Sequence, residues 1–375
     1  MTGYRIMVKL LTPMVLGWLA ARALGQEPEI RIQEHLKVER IVVDVRVTQA
    51  NGSPVQGLVA DDFVVTTGGR TLPVISCQWF DSEAGEGPGI ADGGIRRDFQ
   101  DEPPTADQDA ALSGGEADPF WDDPPGDTKS RPDGRLIVFF VQQDLQGARN
   151  YGLVRMTNKA LEMLDGLVSD DYVAVVSFDS HFKIHLDFTR QKGMARKALQ
   201  EGLFRGGGAF FRKGEFPSLM SQIDPEEALD ATTAERALTL TGRGLQAFGG
   251  PKTLVFLGWG LGVYRKGGVV MVPEYGNAVQ ALNESMTSVY SLDVTMANFH
   301  SLEVGLQNVA HDTGGFYART FEFVDQAIPK VLRFISGFYL LTFEKPAEGV
   351  DPDGFKIDLR GKQGQVHVRY PYNRL

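Results

Sequence analysis

The chain has 375 residues, 42% hydrophobic and 23% charged, which suits a globular protein with room for two domains and excludes collagen-like and wholly disordered classes. Its formal charge is −10 and no basic face gathers along it, so nucleic acid is excluded as a partner. A single cysteine, Cys77, excludes an internal disulfide framework and leaves stability to core packing.

Arg5 and Lys9 precede a short apolar run from Leu10 to Ala20, and Ala23-Leu24-Gly25 puts small residues at a cleavage position. This predicts a secretory signal over residues 1–25, cut after Gly25, and a secreted or periplasmic product. Thr12, Pro13 and Gly17 interrupt the run, which is shorter than the roughly 20 apolar residues of a spanning helix. No stable membrane span is expected after cleavage.

Residues 26–81 read as a small β region. Val43, Val45 and Val47 alternate with polar residues, Asn51-Gly52 turns the chain, and Val55 to Val59 resumes as a strand. Asp61 to Val65 begins another strand, Gly68-Gly69 turns it, and Leu72 to Trp79 follows. Residues 82–134 change character. They hold 14 acidic and 4 basic residues, and Gly and Pro supply 16 of the 53 positions. Such a stretch buries too little apolar surface to offset its ordering entropy, which predicts a disordered acidic linker. Phe120-Trp121, among Asp118, Asp122 and Asp123, is its one docking candidate.

From residue 135 strands and helices alternate. Leu136 to Val141 is continuously apolar, as in a strand buried on both faces. Leu153, Met156, Ala160, Leu164 and Leu167 recur at helical spacing. Strands are predicted over 172–178 and 182–188. Thr232-Thr233-Ala234-Glu235 reads as a capping box opening a helix that closes at Gly249-Gly250-Pro251. A strand at 253–257, a helix at 275–286, a strand at 289–294, a helix at 302–310 and a short strand at 316–318 follow. The last helix, about 323–335, contains Pro329, where a kink is expected. This order predicts an α/β domain over 135–336 with a doubly wound, mostly parallel sheet. The tail, 337–375, returns to alternating strands at 338–343, 355–359 and 366–370. Isolated hairpins are marginal in water, so these strands are expected to pack with the N-terminal β region in one small sandwich drawn from both chain ends.

Several segments carry a resemblance. Val43-Asp44-Val45-Arg46-Val47-Thr48, Asp170-Asp171-Tyr172-Val173-Ala174-Val175-Val176-Ser177-Phe178 and Pro251-Lys252-Thr253-Leu254-Val255-Phe256-Leu257 lead the series. Val289-Tyr290-Ser291-Leu292-Asp293, Thr313-Gly314-Gly315 and Phe338-Tyr339-Leu340-Leu341 follow in the same order. Together they resemble the von Willebrand factor A (VWA) domain, and more closely the bacterial exported VWFA-related family. The resemblance implies a divalent ion at the C-terminal edge of the sheet, held by a D-x-S-x-S loop, a Thr and an Asp, all oxygen donors. Here the first loop reads Gln142-Gln143-Asp144-Leu145-Gln146-Gly147. The second offers Phe210 and Phe211 and no Thr, and the third puts Trp259 where the Asp belongs. No metal and no other cofactor is therefore expected.

Other chemistry is equally weak. His181 and His185 lie four apart on one face of a hairpin, with no third ligand placed by sequence. The glycine loops lack phosphate-binding spacing, and no G-x-S-x-G elbow occurs. The expectation is a non-catalytic protein-binding or adhesion module that works without metal. Its candidate rim comprises Gln142, Gln143, Asp144, Gln146, Phe210, Phe211 and Trp259. Two alternatives stand: a weak divalent-metal site through Asp144, or an exported hydrolase whose Ser or His cluster the sequence hides.

Overall fold

In chain order the strands and helices are β1 (Arg40–Thr48), β2 (Phe63–Thr67), β3 (Arg70–Leu72), β4 (Val74–Asp81), β5 (Leu136–Gln142), α1 (Gly147–Gly166), β6 (Tyr172–Phe178), β7 (Phe182–Thr189) and α2 (Lys192–Lys197). There follow α3 (Pro225–Leu229), α4 (Ala234–Leu245), β8 (Lys252–Gly258), β9 (Val263–Arg265), β10 (Gly268–Val270), α5 (Glu274–Glu284), β11 (Thr287–Asp293), α6 (Glu303–Asp312), β12 (Phe316–Arg319), α7 (Thr320–Phe334), β13 (Gly337–Glu344), β14 (Lys356–Leu359) and β15 (Gln365–Arg369). This is a computed structural model that describes residues 40–81, 134–143, 147–202, 218–344 and 355–369. The predicted signal and most of the predicted linker, with Phe120 and Trp121, lie outside the described residues.

The central sheet runs β12-β11-β8-β5-β6-β7, parallel except for β7, which pairs antiparallel with β6 at one edge. Its inner strands are apolar runs because both faces are covered. β5, β6, β8 and β11 are buried at every position. One face packs on α1 and α7 through Met156, Leu164, Val331 and Phe334. The other packs on α4, α5 and α6 through Leu238, Leu282 and Leu306. The chain leaves β5 towards β6 and later returns on β5's other side as β8, so strand order reverses between β5 and β8. Open α/β sheets place their ligand crevice at the C-terminal ends of such a pair.

The second layer is a sandwich of a four-stranded antiparallel sheet, β15-β1-β13-β4, and a three-stranded one, β14-β2-β3. Both ends of the described chain contribute: β1 pairs with β13 and β15, and β14 pairs with β2. Val43, Val45 and Val47 fill its core with Phe63, Tyr339 and Phe343.

Two readings of the sequence are corrected, the strand at 55–59 and the cap of α4. The polar side of β1 is buried as well: Asp44, Arg46 and Thr48 are at most 5% exposed. Asp44 accepts hydrogen bonds from Arg369 at 2.8 and 3.1 Å, and Arg46 donates to Ser288 Oγ of β11 at 3.2 Å. From Val43 on, the strand is buried on both sides, with its charges paired rather than hydrated. Residues 55–59 form no strand, because the Tyr339 hydroxyl takes the ladder's place, donating to Val55 O at 2.8 Å and accepting from Leu58 N at 3.1 Å. Pro329 lies inside the helical span of α7. The cap of α4 is Thr233, whose Oγ1 accepts from Arg236 N at 3.2 Å, while Glu235 bonds elsewhere.

Cys77 is half-buried in β4, and burial pushes its thiol up to about 11, so it packs as a neutral side chain.

Candidate functional site

The reversal point between β5 and β8 is closed by Gln142, the last residue of β5, which is 3% exposed. Its Oε1 accepts from Trp259 N at 2.9 Å and from Gly260 N at 3.2 Å. Its Nε2 donates to Gly260 O at 2.8 Å. A carboxylate could accept the first two bonds but could not donate the third, so the amide suits this loop where an acid would not. From the other side, Glu235 of α4 accepts from Gly262 N at 2.6 Å. Gly260 and Gly262 adopt φ of +156° and +81°, and a Cβ on Gly260 would lie 2.4 Å from Leu302 Cβ. The loop after β8 is thus pinned by both neighbours.

Trp259, half-buried, packs on the α1-side core. Its Nε1 donates to Gln143 O at 3.5 Å, and the Arg149 guanidinium lies 3.9 Å from its ring centre. Gln142, Gln143 and Trp259 are therefore brought together. Asp144, Gln146, Phe210 and Phe211 lie outside the described residues. Gln142 and Trp259 do not fit the divalent ion that the VWA resemblance implies. One presents a neutral amide engaged by backbone, the other an indole.

One strand further out the rim carries a polar cluster that the sequence reading missed. Asp293 ends β11 and stands in register with Gly258 of β8 and Arg319 of β12. It is 1% exposed. Its Oδ1 accepts from Thr295 N at 2.9 Å, which aims Oδ2 at His300 Nε2 and at the Tyr317 hydroxyl, 2.7 and 2.8 Å away. Glu303, the first residue of α6, accepts from Arg319 through both oxygens at 2.7 and 3.1 Å. Tyr317 also stands 3.3 Å from Glu303 Oε2. Arg319 holds the Glu303 carboxyl below the usual carboxylate range, and burial with Asp293 raises the Tyr317 hydroxyl. The only advance signal was an acid closing an apolar strand.

The rim also leaves aromatic surface uncovered. Tyr151 near the start of α1 is 65% exposed, Tyr264 of the β9–β10 hairpin 69%, and Phe299 in the loop after β11 74%. These positions lie on the segments leaving β5, β8 and β11, three neighbours in the sheet. Arg319 covers one face of the Phe299 ring at 4.4 Å.

Ser177 Oγ and His185 Nε2 lie 2.7 Å apart on β6 and β7. The pair resembles a nucleophile with its base. However, Ser177 is fully buried, His185 is 4% exposed, and His185 Nδ1 has no partner among the described residues. No group orients the imidazole and no substrate reaches the hydroxyl in this arrangement. A register shift in β7 separates His185 from His181, which contacts Asp179 and Ser180 instead.

No protein-family model and no curated protein matches the chain. Among solved structures it is similar to a minor pilin PilB mutant from Streptococcus sanguinis, at 14% identity and TM-score 0.33, over 54% of this chain and 63% of the pilin. It is similar to the conserved hypothetical protein BatB from Bacteroides thetaiotaomicron, at 16% identity and TM-score 0.33, over 52% of this chain and 98% of BatB. It is also similar to a von Willebrand factor type A protein from Catenulispora acidiphila, at 11% identity and TM-score 0.36, over 63% of this chain and 66% of that one. The chain spans under two thirds of the pilin and of the Catenulispora protein.

Proposed function

We propose that this chain is an exported, non-catalytic interaction module that docks a protein partner on the C-terminal rim of its central sheet, with no ion at the position the VWA resemblance implies. One observation carries the reading: Tyr151, Tyr264 and Phe299 stand exposed on segments leaving three adjacent strands. Large aromatics are the side chains that most often anchor protein interfaces, and water gains when they are covered. The pinned 259–262 loop supports the same reading, since a rigid platform loses little entropy on binding. Gln142 supports independence from metal, because its amide serves the backbone.

The test compares the wild-type chain with a Tyr264→Ala, Phe299→Ala double variant in capture of envelope proteins from the source organism. Both residues are exposed, so the variant is expected to keep its melting temperature. Loss of a specifically captured protein by at least tenfold is expected. Unchanged capture would refute the rim as the docking surface. Edman sequencing of the chain recovered outside the cytoplasm is expected to begin at Gln26, which tests export separately.

A further inference from the structure

We propose that Asp293, His300 and Glu303 form a binding site for a borderline divalent transition ion, of which zinc is the type. The site goes beyond the docking reading and does not depend on it. It also lies apart from Gln142 and Trp259, where the VWA resemblance would put an ion.

Geometry comes first. One ligand atom from each of the three residues can be chosen so that all lie within 4.8 Å of one another. Zinc bonds of roughly 2.0–2.2 Å require ligand atoms about 3.3 Å apart in a tetrahedron, so adjustments of at most about 1.5 Å complete the set. Asp293 is fixed at a strand end and Glu303 at the first turn of α6, while His300 sits on the connecting loop. Two ligands are thus rigidly placed and the third can follow.

The convergence of oxygens is the second observation. The Asp293 and Glu303 carboxylates meet at one hydroxyl, with the Arg319 guanidinium on the Glu303 side. Tyr317 stands 2.8 Å from Asp293 Oδ2 and 3.3 Å from Glu303 Oε2, yet it has one hydroxyl hydrogen. It can donate to only one of them. The two carboxylates therefore converge on a hydroxyl that can serve only one of them, and a cation between them would engage both. Arg319 need not leave, because each carboxylate oxygen of Glu303 keeps a second lone pair. One imidazole with two carboxylates suits zinc or manganese better than magnesium or calcium, which take oxygen ligands alone.

His300 Nε2 faces a carboxylate oxygen at 2.7 Å, so it carries the hydrogen of that contact when no ion is bound. Ligation through this nitrogen needs the hydrogen gone from it, and a neutral imidazole can carry it on Nδ1 instead.

The experiment is calorimetric titration of ZnCl2 into the chelator-treated full chain, with CoCl2 absorption as a second readout. The expected result is one saturable zinc site per chain, weakened at least tenfold in His300→Ala and in Glu303→Gln. His311→Ala, on the same helix but with a side chain 84% exposed, should leave it unchanged. Arg319→Gln removes the competing positive charge and should tighten binding severalfold, a gain that a merely structural role would not give. Circular dichroism at the titration temperature ensures that only folded variants are compared. Absence of saturable zinc binding, or binding that His300→Ala and Glu303→Gln leave intact, would overturn the proposal and leave the cluster as a closed ionic lattice.

Discussion

At the residue scale, Gln142 shows how one amide changes what a strand end can do. An acid at this position would present charge to an ion. The amide instead accepts from two backbone N–H groups and donates to one carbonyl. Gln142→Ala removes all three bonds and leaves the Trp259 and Gly260 backbone unsatisfied at a buried site. We expect a loss of about 2–4 kcal/mol in urea unfolding. A loss within about 0.5 kcal/mol would mean that Glu235 alone holds the loop. Gln142 could be read from the sequence as a departure from the acid that the VWA resemblance implies, but its role could not. That role needs the loop after β8 folded back over the end of β5, a contact between residues 117 and 118 positions apart. The Asp293 cluster was hidden for a related reason. Its members fall at 293, 300, 303, 317 and 319, with no single period joining them, and only the parallel register of β11 and β12 brings Arg319 beside Asp293.

At the element scale, strand identity was legible where burial was symmetric and misleading where it was not. The inner strands announced themselves as apolar runs. Strand β1 did not, because Asp44 and Arg46 alternate with valines as they would on a solvated edge. Their burial becomes visible only once Arg369 and Ser288 arrive from distant elements. Gly314 permits that approach: its φ is +72°, and a Cβ there would stand 2.8 Å from Arg369 N. The antiparallel edge pair β6–β7 carries a testable consequence. Burial pushes the His185 imidazole down to about 4, with Lys183 adding to the effect. The unfolded chain, with an ordinary histidine value, binds more protons between pH 4 and 6.5. Stability is therefore full above about pH 6.5 and falls as pH drops towards 4. This group should account for about 2 kcal/mol of the stability lost between pH 7.5 and pH 5. His185→Gln keeps a partner for Ser177 without titrating, and should reduce the loss by about that amount. His367, also pushed down to about 4 by burial, supplies a similar share and remains in the variant. An unaltered pH slope in His185→Gln would show that His185 is hydrated in solution.

At the scale of the whole molecule, the described chain builds two packed layers whose polar contacts cross between them. The sandwich forms only because β13, β14 and β15 return to β1 and β2 after the α/β domain is complete. Marginal hairpins and a shared core made this pairing legible in advance. The sequence reading put aromatic surface at the rim on Phe210, Phe211 and Trp259. Phe210 and Phe211 lie outside the described residues, Trp259 is half-buried and stacked by Arg149, and Tyr151, Tyr264 and Phe299 carry exposure. Exposure depends on which side chains the neighbouring helices cover, and no local pattern encodes that.

The central claim is that the C-terminal rim meets a partner. Site-specific photo-crosslinking tests it most directly, with a benzophenone amino acid placed in turn at Tyr264, at Phe299 and at Asp170, an exposed residue in the loop before β6 at the opposite edge of the sheet. The account predicts one adduct of the same mass from the two rim positions and none from Asp170. An adduct from Asp170 alone, or equal yields from all three positions, would contradict it.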